Sequence, residues 1–125
     1  MHDAQIEKVI IVEGSTDRKK LQSVLNESVK IICTNGTISL SKLDELVDEL
    51  EQMDVYILAD ADESGEKLRK QLRSEMPNAS HLYIDRTFRE VANAPRYHLA
   101  TVLLAANIDV KAEYLIQMKD VKTNE

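Results

Sequence analysis

Four short apolar runs punctuate the chain, each stopped by polar or turn-forming residues. Residues 8–12, Lys8-Val9-Ile10-Ile11-Val12, end on Glu13-Gly14. Residues 29–33 end in Thr34-Asn35-Gly36-Thr37, and residues 55–59 end on Asp60-Ala61-Asp62. A shorter fourth run, Leu82-Tyr83-Ile84, starts as far back as Ala79. Runs of this length, rich in β-branched and aliphatic residues, read as strands buried on both faces. Between them the period lengthens to that of a helix. Residues 16–26 carry Leu21, Val24 and Leu25 as one stripe, with Ser15 or Thr16 as N-cap. Ser41 with Asp44 resembles a capping box, and Leu43, Leu46, Val47, Leu50 and Met53 follow at helical spacing. Asp44, Glu45, Asp48, Glu49 and Glu51 form the opposite, solvated face. A third helix spans 64–75 with Leu68, Leu72 and Met76 inward, closed by Pro77-Asn78. Residues 85–95 read as a polar loop, 97–106 and 109–119 as helices, and 121–125 as a frayed tail.

Strands alternating with helices at spacings of about 20–25 residues imply βαβ units and a parallel sheet. Right-handed crossovers in a doubly wound order place the first and third strands side by side, as in the order 2-1-3-4. The expected class is α/β, with a four-stranded, mainly parallel sheet flanked by helices. One domain over 1–120 is expected, since 125 residues suffice for a single core.

Adjacency of the first and third strands has a chemical consequence. Glu13 and the pair Asp60 and Asp62 would end neighbouring strands, about 5 Å apart in the backbone. Open α/β sheets bind ligands at the carboxyl ends of their strands. Three carboxylates so close repel unless a proton or cation joins them. Mg²⁺ suits the place, because it takes one or two carboxylates and completes its shell with water and phosphate oxygens. The bland alternative is that one aspartate caps the next helix while the other is solvated.

Composition narrows the class. A net charge of −6 argues against a general nucleic-acid coat without excluding a local basic surface. No run approaches the roughly 20 apolar residues that cross a bilayer, and residues 1–7 lack the apolar core of a signal peptide. The single cysteine, Cys33, fits a reducing cytoplasm, and its place in an apolar run suggests a buried, inert thiol. His2, His81 and His98 lack zinc-ligand spacing.

An apolar strand ending in Ile11-Val12-Glu13-Gly14, with a later one ending in Asp60-Ala61-Asp62-Glu63-Ser64-Gly65, resembles the Toprim domain. That module is shared by topoisomerases, bacterial primases, OLD-type nucleases, RecR-type recombination proteins and the ribonuclease that matures small ribosomal RNA. The match covers about residues 7–85 and looks most like the maturation ribonuclease. Asp17 after Glu13-Gly14, Thr34-Asn35-Gly36, and Gly65-Glu66-Lys67-Leu68-Arg69 carry that closer likeness. The departure is the ribonuclease's further substrate-binding region, for which little sequence remains here. The resemblance implies a Rossmann-like three-layer fold. It also implies Mg²⁺, with Mn²⁺ a substitute, held by Asp60 and Asp62, and Glu13 as general base, general acid or further ligand.

The remaining candidates flank that centre. Gly14 and Gly65 leave room for a phosphate at helix N-termini, as Asn35 and Gly36 do at their turn, though each can equally serve only the turn. Arg18, Lys19, Lys67, Arg69 and Lys70 could contact a phosphate backbone, with Arg86, Arg89 and Arg96 nearby. Singly, each is as well explained as charge balance on a solvated helix. The expected function is a metal-dependent nuclease on RNA or DNA. The competing readings are a non-catalytic module binding nucleic acid or a partner protein, which includes a homodimer, and a nucleotide-binding regulator.

Overall fold

The computed structural model describes residues 6–36 and 38–115. Strands β1 (Lys8–Val12), β2 (Lys30–Cys33), β3 (Asp54–Leu58) and β4 (Ser80–Leu82) alternate with helices α1 (Ser15–Val24), α2 (Leu40–Leu50) and α3 (Glu63–Glu75). Two 3-10 turns, Arg86–Phe88 and Val91–Asn93, precede α4 (Arg96–Ala105). All strand pairs are parallel and the order is β2-β1-β3-β4, as the pattern predicts. Among the described residues, no helix is long and apolar enough to cross a membrane.

The alternation of side chains along β1 splits the interior in two. Ile10 and Val12 join Leu21 and Val24 of α1 and Leu99 and Leu103 of α4. Val9 and Ile11 face the other way, onto Leu43, Leu46 and Leu50 of α2 and Leu68 and Leu72 of α3. All four β1 positions are fully buried, which is why they read as an unbroken apolar run rather than an alternating one. The result is three layers with the carboxyl ends of β1 and β3 at one rim.

Several boundaries differ from expectation. The N-cap of α1 is Gly14, whose N–H donates to the Asp17 carboxylate at 3.0 Å, so neither Ser15 nor Thr16 caps it. Ser39 caps α2 by accepting from the Lys42 N–H, which displaces the expected box at Ser41. Both sites had a serine at a workable offset, and only the entering chain decides between them. The fourth strand lies two residues earlier than expected. β3 ends at Leu58, whose partner is Leu82, so the ladder has nothing to pair with beyond that point.

The segment 85–95 is not a loose loop. Val91 and Ala94 are fully buried against the α1/α4 side of the sheet. Beyond α4, Ile108 and Val110 are buried and Val110 bridges Leu25, so this stretch is packed but extended where helix was expected. A helical turn is present at residues 112–115. Residues 116–119 of the expected helix, the tail 121–125, and Thr37 lie outside the described residues.

Candidate metal centre

Glu13 follows the last residue of β1, and its carbonyl accepts from the Asn35 N–H at 2.7 Å. This continues the β1–β2 ladder one step past the strand and holds the glutamate at the rim. Its Oε1 accepts from the Asp60 N–H at 2.9 Å and its Oε2 from the Ser64 hydroxyl at 3.3 Å. A side chain thus takes the backbone donor that the ending strand leaves free. Asp60 is held in turn by the Val91 N–H, 2.8 Å from its Oδ1, and the Ala61 N–H donates to the Arg89 carbonyl at 2.6 Å. The segment 85–95 therefore buttresses the site, which its polar sequence did not suggest. Asp62 is the N-cap of α3, its Oδ1 accepting from the Gly65 N–H at 2.8 Å.

The outcome is the predicted convergence. One carboxylate oxygen from each of Glu13, Asp60 and Asp62 lies within 4.8 Å of the others, and all three residues are half-buried. Among the described residues, Oδ2 of Asp60 and Oδ2 of Asp62 accept no hydrogen bond, so each aspartate keeps a free donor oxygen. A set of hard carboxylate oxygens at this spacing fits a hard divalent cation and offers no soft ligand. Burial pushes the Glu13 carboxyl above its ordinary range, and the Asp60 and Asp62 charges push the same way. The Asp60 N–H and the Ser64 hydroxyl oppose that shift without cancelling it. Asp17, nearly buried beneath Gly14, is raised chiefly by burial as well.

The flanking candidates separate into two groups. Lys19, Lys67 and Lys70 are exposed; Arg18 is half-buried and reaches the Ile31 carbonyl at 3.4 Å. Arg69 corrects the expectation of a basic rim, because it is only 1% exposed. Its guanidinium donates to the carbonyls of Ile57, Ala59 and Leu82 and to Nδ1 of His81. These carbonyls line the closing end of the β3–β4 pairing, Ile57 and Leu82 within it and Ala59 one residue past β3. Its face lies 4.1 Å from the centroid of the Tyr83 ring, and burial lowers its basicity.

Gly65 is also corrected as a phosphate seat. Its N–H is committed to Asp62, and a Cβ there would sit 2.0 Å from the Asp60 carbonyl oxygen. The Gly14 N–H is likewise engaged, by Asp17. Asn35 and Gly36 occupy an exposed turn with φ of 57° and 107°, respectively, conformations that suit these residue types.

Asp60 and Asp62 also line a cavity of about 620 Å³ on the β4 side, with Glu66, Arg69, Tyr83 and Arg86 on its walls and Glu13 outside its lining. A second cavity, about 470 Å³, opens at the amino ends of β3 and β4 between Val47, Met53, Met76 and Pro77, far from the carboxylates.

Comparison with known proteins agrees with this geometry. The model of the Toprim domain matches residues 8–91. YusF of Bacillus subtilis (strain 168), described as an uncharacterized protein, is 61% identical over 111 residues, covering 89% of this chain and 76% of that protein. Ribonuclease M5 of Mycoplasma genitalium is 32% identical over 105 residues, which is 83% of this chain but 57% of that enzyme. For Ribonuclease M5 1 of Ligilactobacillus salivarius (strain UCC118), 35% identity extends over 64% of this chain and 43% of the relative. The chain thus spans about half the length of the ribonucleases it matches. The structure of a small Toprim domain protein from Bacillus stearothermophilus superposes with a TM-score of 0.86 at 63% identity, covering 90% of this chain and 95% of that one.

Proposed function

This chain belongs to the Toprim domain family, and from that premise we propose that it is an Mg²⁺-dependent phosphoryl-transfer enzyme on nucleic acid, a nuclease that prefers RNA to DNA. The observation that carries the reading is the meeting of Glu13 with Asp60 and Asp62, from two strands 47 residues apart in sequence. Two aspartates in one turn could be a cap and a solvated neighbour. A third carboxylate held against them by its own hydrogen bonds costs repulsion that a bound cation would relieve.

Asp60 and Asp62 would hold the cation through their free oxygens, each oriented by a backbone N–H on its other oxygen. A divalent ion there, Mg²⁺ or Mn²⁺, supplies Lewis acidity toward a phosphate oxygen. Glu13, raised by burial, is suited to take or give a proton nearer neutrality than an ordinary glutamate. Ser64 and the Asp60 N–H fix where that proton is exchanged. Exposed Lys67 and Lys70 on α3 and Lys19 on α1 would position the flanking phosphates without reading sequence. The preference for RNA rests on the Ribonuclease M5 relatives.

A second reading, a Toprim module that binds without cleaving, is favoured by one observation. Every carboxylate of the trio also does a structural job, capping α3, anchoring Val91 or closing the end of β3.

The two readings part in one assay. End-labelled structured RNA, single-stranded DNA and duplex DNA are incubated with Mg²⁺, Mn²⁺ or EDTA. Metal-dependent products, faster on RNA, are expected. Binding without products in any metal would establish the module instead. Metal binding is checked separately by thermal melting. Mg²⁺ in large excess over its dissociation constant should stabilise the wild type, by about 2.7 kcal/mol at a hundredfold excess. In Asp60→Asn that increment should largely vanish, while the retained amide oxygen still serves the Val91 N–H. An equal increment in both proteins would remove Asp60 as a ligand.

A further inference from the structure

Tyr83 is 57% exposed, directly beyond the end of β4, although its neighbours Leu82 and Ile84 are buried. The apolar run 82–84 would have placed it in a strand. Instead its ring projects at the wall of the cavity that Asp60 and Asp62 also line. One face of the ring is covered by the Arg69 guanidinium at 4.1 Å. That guanidinium is itself fixed by three backbone carbonyls and His81, so the ring rests on an immobile support. The His81 ring, with its centroid 6.4 Å away and its plane inclined by 26°, stacks alongside Tyr83 and holds the same guanidinium through Nδ1, so the Tyr83 ring remains largely exposed. Burying a guanidinium beneath an exposed aromatic is costly, since Arg69 loses hydration and its Nε has no hydrogen bond among the described residues, only the exposed Glu66 carboxylate at 3.9 Å.

We propose that Tyr83, braced by Arg69, is a stacking platform for one unpaired nucleobase of the strand whose phosphate lies at the carboxylates. The proposal rests on the reading that this site acts on nucleic acid, and it adds a substrate class. An aromatic ring held rigid on one face offers the other to the π-face of any base, so the contact tolerates sequence. The supporting cation strengthens the arrangement without competing for the base. Arg86, exposed on the same wall, provides a positive charge for an adjoining phosphate. A base inside a duplex already has both faces stacked, so it reaches Tyr83 only when it is unpaired, in a single strand, loop or bulge. The favoured substrate therefore carries an unpaired nucleotide beside the reacting phosphate.

The test is fluorescence anisotropy with Ca²⁺ in place of Mg²⁺, on a labelled single-stranded oligonucleotide, the same strand in duplex, and a strand of abasic sites. Wild type, Tyr83→Ala and Tyr83→Phe are compared, with melting temperatures checking the fold. Tyr83→Ala should lose roughly 5- to 100-fold in affinity for the single strand. It should change little on the duplex or the abasic strand, and Tyr83→Phe should bind like wild type. A folded Tyr83→Ala that binds the single strand as wild type does, or loses affinity equally for the abasic strand, overturns the platform and leaves the nuclease reading standing. A wild type that neither binds nor cleaves any of these strands overturns both.

Discussion

Gly65→Ala is expected to cost about 3 kcal/mol of stability, the upper part of the range for overpacking, and to abolish metal-induced stabilisation. A Cβ at this position would lie 2.0 Å from the Asp60 carbonyl oxygen, 2.9 Å from its carbon and 3.1 Å from its nitrogen. All three are backbone atoms, so no side-chain rotation relieves the contact. The collision must be resolved by moving the first turn of α3 or the end of β3. Either motion breaks a restraint on the centre. Asp60 is held by the Glu13 side chain and the Val91 N–H, and Asp62 by the Gly65 N–H. For a domain of this size the melting temperature should fall by roughly 10 °C. Melting with and without Mg²⁺ or Mn²⁺ measures both effects. Gly36→Ala is the control: nothing lies within 4 Å of its Cβ position, so only its φ of +107° opposes the change. That penalty should be smaller and leave metal binding intact. If Gly65→Ala melts like wild type and still responds to metal, Asp60 and α3 are not rigidly coupled, and the hydrogen bonds do not define the site.

The parts of this arrangement legible in sequence were those governed by local burial. β1 and β3 are covered on both faces, so their runs stayed apolar to the rim and the acids that ended them stood out. Parallel crossovers then placed Glu13 beside Asp60 and Asp62 with no further information. What was missed depends on where a distant partner stops. Tyr83 leaves the sheet because β3 ends at Leu58, which nothing near Tyr83 encodes. Near the same end the Ala59 and Leu82 carbonyls accept from Arg69, which draws the guanidinium inward. Arg69 did leave a local trace, since Gly65, Leu68, Arg69 and Leu72 share the buried stripe of α3 at helical spacing. A basic residue on an apolar stripe beside an unfinished sheet edge is a better candidate for a buried brace than for a phosphate contact. Segment 85–95 misled through composition: its exposed residues are polar, while Val91 and Ala94 anchor it.

Glu13→Gln separates structure from chemistry at the same centre. The amide oxygen can accept from the Asp60 N–H as Oε1 does, and the amide nitrogen can donate to the Ser64 hydroxyl, which reverses that bond without losing it. The fold should therefore persist. Metal-free stability should rise near neutral pH, because burial and the two aspartates disfavour the ionised glutamate that the change removes. A carboxyl whose folded-state value is raised binds its proton more tightly when folded. The wild type therefore loses stability as pH climbs from the ordinary glutamate range through the raised one, and the gap to the variant should close again on acidification. Cleavage should move the opposite way. Loss of a group that transfers a proton in the transition state costs about 10² to 10⁴ in rate, and the neutral amide cannot transfer one. A more stable protein with cleavage reduced by that factor would mark Glu13 as a residue whose charge is held at a cost for catalysis. A more stable protein with full cleavage would confine Glu13 to closing the end of β3, and the proton transfer would have to be sought at another group.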